Sequence, residues 1–148
     1  MELRHANHCV YKIRYHIILC VKYRKNLLLG TELINFLKNV CFEISERYCF
    51  EFDAIGSDGD HVHLFLGAEP KYSPSKIMQI IKSITARQIF KQYPEIKKQL
   101  WGGELWSDGG YIGTIGDGKT SDVIKNYVEN QGNKEEREAY QQMKILNF

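Results

Sequence analysis

The sequence predicts an α+β domain: a four-stranded antiparallel sheet with two helices on one face and the other face left free. Three observations carry this. Apolar residues alternate in two well-separated stretches, they recur at helical spacing in two others, and turn residues separate all four. Taken in order the elements read β-α-β-β-α-β-α, which is the ferredoxin-like (RRM-like) arrangement.

The first strand lies within residues 10–21, VYKIRYHIILCV. Tyr11, Ile13, Tyr15, Ile17, Leu19 and Val21 share one parity, and Lys12, Arg14 and His16 take the other. After Gly30, Leu33, Phe36, Leu37, Val40, Ile44 and Tyr48 recur at helical spacing, with Thr31 as the expected cap. Residues 50–56 alternate again, and Ser57-Asp58-Gly59-Asp60 turns the chain into a third strand, HVHLFLG. That strand places His61, His63 and Phe65 on one face and Val62, Leu64 and Leu66 on the other.

Ser73-Pro74-Ser75 opens a second helix that runs to about Tyr93, with Pro74 in its first turn and Ile77, Ile80, Ile81, Ile84 and Ile89 on its buried side. A glycine-interrupted fourth strand follows at 104–115. Thr120 or Ser121 caps a short helix ending at Gly132, so residues 1–132 form one domain and 133–148 a polar tail.

Composition narrows the partners. At 148 residues and 43% hydrophobic the chain has enough material for a core, and its net charge is only +2. The charge is unevenly spread. Residues 1–30 carry Arg4, Lys12, Arg14, Lys22, Arg24 and Lys25 against Glu2, residues 71–100 are as basic, and residues 43–60 are acidic. A polarised surface of this kind suits a polyanion on its basic side. No apolar stretch of membrane-spanning length and no secretory leader is evident, so no membrane partner is expected. Cys9, Cys20, Cys41 and Cys49 form no C-x-x-C pair, as expected of reduced thiols in a cytoplasmic protein.

Two short motifs carry chemistry. Alternate residues of a strand point the same way, so His61 and His63 stand side by side, roughly 7 Å apart at the backbone. Tyr127 and Gln131, four apart on a helix, also share a face. Two imidazoles and an amide oxygen can hold a divalent cation beside a phenol. Each motif also has a plainer reading, the histidines as strand residues satisfying local hydrogen bonds and the tyrosine as core packing beside Val123, Ile124 and Val128. Asp60 is either a partner that orients one imidazole or a turn residue. Glycines at 113, 116, 118 and 132 bracket the tyrosine helix and would let it move as a unit.

Together these segments resemble the single-tyrosine HUH transposases of the small insertion sequences, the insertion-sequence 200/605 type. The match runs through Tyr15-His16-Ile17-Ile18 with Lys22-Tyr23-Arg24-Lys25, then Asp60-His61-Val62-His63-Leu64. It continues through Leu105-Trp106-Ser107 to Thr114-Ile115-Gly116 and ends at Tyr127-Val128-Glu129-Asn130-Gln131. Gly59, Gly109 and Gly110 depart from the pattern, at positions where bulkier residues are expected.

The resemblance implies a single-stranded DNA transposase that nicks and rejoins DNA at hairpin-bearing element ends. Tyr127 would form a 5′-phosphotyrosine bond, and His61, His63 and Gln131 would hold Mg²⁺ or Mn²⁺. It implies a homodimer whose histidine pair works with the partner's tyrosine helix. Lys12, Arg14, Lys22, Arg24, Lys76, Lys82 and Arg87 are the expected phosphate contacts, with Tyr23, Phe90 and Tyr93 as stacking surfaces. Three other functions fit parts of this pattern: a domesticated nickase acting on chromosomal palindromes, a non-catalytic ferredoxin-like nucleic-acid-binding domain, and a metal-dependent hydrolase. The last two leave Tyr127 without a role.

Overall fold

The computed structural model describes residues 3–6 and 8–116. The expected tyrosine helix, with Tyr127 and Gln131, and the polar tail lie outside the described residues.

The strands of the main sheet are β3 (Arg14–Cys20), β4 (Glu51–Ser57), β5 (His61–Gly67) and β6 (Tyr111–Thr114). They lie in the order β4-β5-β3-β6 and are antiparallel throughout. Helix α1 (Thr31–Tyr48) joins the first two, and α2 (Pro74–Gln92) with the short α3 (Pro94–Lys98) joins the last two. This is the ferredoxin-like topology that the sequence predicts.

The strand expected over 10–21 is two strands. Residues Cys9–Tyr11 form β2, which pairs with β1 (Arg4–Ala6) in a separate hairpin, and the chain re-enters the main sheet only at Arg14. The fourth strand is shorter than expected for a related reason. Ser107 donates to the Cys20 carbonyl at 2.8 Å and Trp106 bridges Val21, but pairing lapses at Asp108-Gly109-Gly110 and resumes at Tyr111. Glycines favour neither strand geometry nor side-chain packing, so the ladder breaks there.

Helix α1 begins where expected, but its cap is Gly30 and Thr31 is the first helical residue. At the cap φ is +89°, a value glycine takes without strain and threonine does not. Helix α2 follows its sequence signals closely. Ser73 accepts a hydrogen bond from the Lys76 amide at 3.1 Å, and Pro74 opens the first turn. Its buried stripe is Ile77, Ile80, Ile81, Thr85 and Ile89, with Ile84 only partly buried. Thr85 takes the inner position because its hydroxyl accepts from Trp106 Nε1 at 2.9 Å and donates to the Ile81 carbonyl at 2.6 Å. No buried polar atom of that pair is wasted.

One core lies between the helices and the sheet. Ile17, Leu19, Val62, Leu64 and Leu66 meet Leu37, Val40 and Ile44 of α1 and Ile77, Ile81 and Ile89 of α2. The opposite face is not free. All seven residues of β3 and all seven of β5 are buried, on both faces. On that second face Arg14, His16, Ile18 and Cys20 of β3 lie beside His61, His63 and Phe65 of β5, a layer that mixes rings and a charge with the apolar Ile18 and Cys20. No helix among the described residues is long and apolar enough to cross a membrane.

Candidate metal centre and nucleic-acid surface

The site is built at the start of β5. Asp58 and Gly59 turn the chain, with the Asp58 amide donating to the His61 carbonyl at 3.1 Å. Gly59 has φ +86°, and a Cβ there would sit 1.9 Å from Asn26 Oδ1. The glycine that departs from the family pattern is therefore required by this turn. Further main-chain bonds anchor it: the Leu28 amide donates to Gly59 O and the Val21 amide to Asp60 O, both at 2.8 Å.

From this turn the two histidines project onto the polar face, 5% and 4% exposed at His61 and His63. Their Nε2 atoms are 3.1 Å apart, and Asp58 Oδ2 lies 3.3 Å from His61 Nε2. Asp58, His61 and His63 can each offer one ligand atom within 4.8 Å of the others. Two ligands at adjacent corners of an octahedron with bonds of about 2.1 Å stand about 3.0 Å apart, so the spacing of the nitrogens fits a divalent cation. The donor set, two imidazoles and a carboxylate, suits Mn²⁺ better than Mg²⁺.

The far sides of both rings are also held. His61 Nδ1 is 2.7 Å from Asp60 Oδ1, which makes Asp60 an orienting partner as well as a turn residue. His63 Nδ1 is 2.9 Å from His16 Nε2. The His16 ring stacks on Phe65 with centroids 4.4 Å apart and meets the Tyr111 ring edge-on at 5.7 Å. Burial, reinforced by neighbouring His16 and His61, lowers the His63 pKa to about 3, so His63 is neutral and its lone pair is available to a cation.

Sequence reasoning missed Asp58 and His16. Asp58 reads as a turn residue, and only the bend brings its carboxylate back to His61. A usable signal for His16 existed, since it shares a parity with Lys12 and Arg14 on the first expected strand.

The expected phosphate contacts divide sharply. Lys12, Lys76 and Arg87 are exposed. Lys22 is partly exposed and ion-paired to Glu104 at 3.1 Å and Asp108 at 3.4 Å, and the Glu104 hydrogen bond raises its pKa. Arg24 lies against Cys20 in a left-handed turn at φ 52°. Arg14 is buried, with ion pairs to Glu51 at 3.2 Å and Asp53 at 3.4 Å, so its guanidinium holds β4 to β3. Lys82 donates to the carbonyls of Ser107, Asp108 and Gly109 at 2.9, 3.2 and 2.7 Å. An ammonium has three hydrogens, and those carbonyls occupy all of them. Lys82 thus clamps the break in the fourth strand, and burial lowers its pKa.

Arg87, Phe90, Gln79 and Trp106 line a groove of about 730 Å³ between α2 and the 103–108 loop. Of the aromatics, Tyr23 is exposed and its hydroxyl donates to the Trp101 carbonyl at 3.2 Å, whereas Tyr93 packs edge-on against Phe36. Trp101, 85% exposed beside Tyr23, was not anticipated.

A ferredoxin-like sheet with a convergent His-x-His pair on the face opposite α1 and α2 is the arrangement expected of HUH-type nucleic-acid enzymes. The comparisons agree. The chain belongs to the IS200-like transposase family, whose model matches residues 9–131. It is 36% identical over 135 residues to the ISDra2 transposase TnpA of Deinococcus radiodurans, covering 91% of this chain and 95% of that one. It is 27% identical over 131 residues to the transposase for insertion sequence element IS200 of Salmonella typhimurium, covering 84% and 80%. Among solved structures, a Deinococcus radiodurans R1 protein assigned as a transposase superposes with a TM-score of 0.69 at 32% identity, covering 87% and 98%. A REP-associated tyrosine transposase bound to a REP hairpin shares the fold, with a TM-score of 0.54 at 15% identity and coverage of 80% and 68%.

Proposed function

We propose that this transposase nicks single-stranded DNA at hairpin-bearing element ends and rejoins it through a 5′-phosphotyrosine on Tyr127. The observation that carries the reading is the convergence of His61 Nε2 and His63 Nε2 at 3.1 Å with Asp58 Oδ2 beside them. His61, His63 and Gln131 would hold Mg²⁺ or Mn²⁺, with Asp58 as a further donor. Bound there, the ion supplies Lewis acidity and orientation to the scissile phosphate.

The protein's own groups do the rest. Asp60 and His16 hold the two imidazoles in place, and Tyr127 supplies the nucleophile. A phenol with an ordinary pKa near 10 needs help to lose its proton. Because the phosphotyrosine conserves the energy of the broken bond, a 3′-hydroxyl can reverse the step without ATP. Lys12, Lys22, Lys76 and Arg87 would contact phosphates, and Tyr23 with Trp101 would stack unpaired bases. Arg14 and Lys82 serve the fold instead. Identity of 36% to an insertion-sequence transposase supports the mobile-element reading.

A labelled hairpin substrate with Mn²⁺ should give a protein–DNA band that resists denaturant. Tyr127→Phe should abolish the band and leave hairpin binding intact. Survival of the band would assign the nucleophile to another residue. The dimer with shared sites has its own test. After subunit exchange, a mixture of His63→Ala and Tyr127→Phe proteins should recover cleavage, and no recovery would place the site within one subunit.

A further inference from the structure

From the two loops at the His61 end of the sheet we infer that Tyr23 and Trp101 form a preorganised platform for the unpaired nucleotides next to the scissile phosphate. Through it the protein rejects duplex at that position. The inference rests on the single-stranded DNA reading given above.

Tyr23 and Arg24 are consecutive non-glycine residues in the left-handed region, at φ 60° and 52°. That backbone is disfavoured wherever a Cβ is present, and two such residues in a row persist only where their surroundings fix them. Here the 99–105 loop does so. The Lys22 amide donates to Leu105 O at 2.7 Å, the Tyr23 hydroxyl to Trp101 O at 3.2 Å, and Lys25 Nζ to Gln99 O. Lys22 Nζ also pairs with Glu104 at 3.1 Å. Directly after Trp101 the chain turns back through Gly102 and Gly103, at φ +87° and +74°. This scaffold presents both rings to solvent, Tyr23 52% and Trp101 85% exposed. A single exposed aromatic is ordinary; a strained turn tied to a second loop so that both present one is not.

Charge and place select the occupant. Lys22, Lys25, Lys97 and Lys98 lie close to the two rings in the chain, with Glu104 as the opposing charge. Lys97 reaches along the loop itself, its Cε 3.8 Å from where a Cβ on Gly103 would stand. Open aromatic faces beside lysines suit a strand with free bases and charged phosphates. In a duplex the base faces are already stacked on one another and closed to the rings. The loop that carries Tyr23 is also fastened at both ends to the turn before His61. The Val21 amide donates to Asp60 O and the Leu28 amide to Gly59 O, both at 2.8 Å. Consecutive Cα atoms are ~3.8 Å apart, so the Tyr23 Cα lies within ~8 Å of the Val21 Cα. A base on the Tyr23 ring therefore belongs to a nucleotide only a few positions from a phosphate held at His61 and His63.

The test uses full-length protein and three probes of about 12 nucleotides: oligothymidylate, the same strand without bases, and oligothymidylate paired with oligoadenylate. The native protein should bind the first about 10-fold more tightly than either of the others. Only the first should quench the emission of Trp101, the exposed one of the two tryptophans. Trp101→Ala should erase the preference, and Trp101→Phe, which keeps a ring, should restore most of it. In the labelled hairpin substrate, removing a base beside the cleaved phosphate should raise KM about 10-fold with kcat little changed, and should add nothing in Trp101→Ala. Equal affinity of the native protein for the strands with and without bases would overturn the inference, as would a preference that survives Trp101→Ala. A KM effect confined to bases far from the cut would overturn the placement. Loss of self-association in Trp101→Ala with oligothymidylate binding intact would assign the face to a second copy of the chain instead. Failure of the native protein to bind the hairpin or any probe would overturn the DNA reading on which the platform rests.

Discussion

The face of the sheet opposite α1 and α2 carries two polar clusters, one toward each end of the β3–β5 pair, and they are built differently. At one end Arg14, opposite Gly67, meets Glu51 and Asp53, and Arg4 adds a second cation to Glu51. A bulge between Phe52 and Ala54 releases Asp53 from the regular ladder. Charges there cancel, as burial requires. Toward the other end, His61, His63 and His16 form a chain of ring-nitrogen contacts with Asp58 and Asp60 beside His61, and Asp58, His61 and His63 bring three possible ligand atoms within 4.8 Å. The first cluster is closed by its own ion pairs; the second has a donor set that could take a cation.

The largest expected effect separates the two clusters by pH. His63 has a folded pKa of about 3 against 6.5 when unfolded, so between those values the unfolded chain binds the extra proton. Stability is fully present above pH 6.5 and falls as pH drops toward 3, by roughly 3 kcal/mol between pH 7 and pH 4 in metal-free protein. Thermal melts of the native protein and of His63→Gln check this. The variant should show a shallower acid slope, and equal slopes would break the contrast.

Next comes Arg14→Leu, which strands two carboxylates, although both retain some solvent. It should cost about 2 kcal/mol of stability and leave Mn²⁺ affinity unchanged, read by denaturant unfolding and calorimetry. A fall in metal affinity would show the clusters to be coupled along the strands. Gly59→Ala should cost about 1–2 kcal/mol through its positive φ and the Asn26 contact, and should also weaken metal binding by displacing Asp58. The smallest effect concerns the surface. Arg87→Ala should reduce the salt dependence of hairpin affinity by about one unit of slope, while Lys82→Ala should leave the slope alone and loosen the 107–109 loop. Binding measured across a salt series decides between them.

Much of this protein was legible in its sequence. The period of two in β3 and β5 and the isoleucine stripe of α2 reflect a core on one side of a sheet, so they announce strands, helices and their order. Ser73 and Pro74 marked a helix start because capping is local chemistry. The His-x-His pair was visible because strand alternation alone puts both rings on one face. Other features depended on residues distant in sequence. What Arg14 and Lys82 pair with was decided by Glu51, Asp53 and the carbonyls of 107–109, which only the folded chain brings near. Asp58 and His16 joined the site through a turn and a strand pairing, and neither register nor turn direction can be read from composition. Periodicity records which way a side chain faces; tertiary structure alone decides what it meets there, because a buried donor or cation must find its partner wherever the fold supplies one.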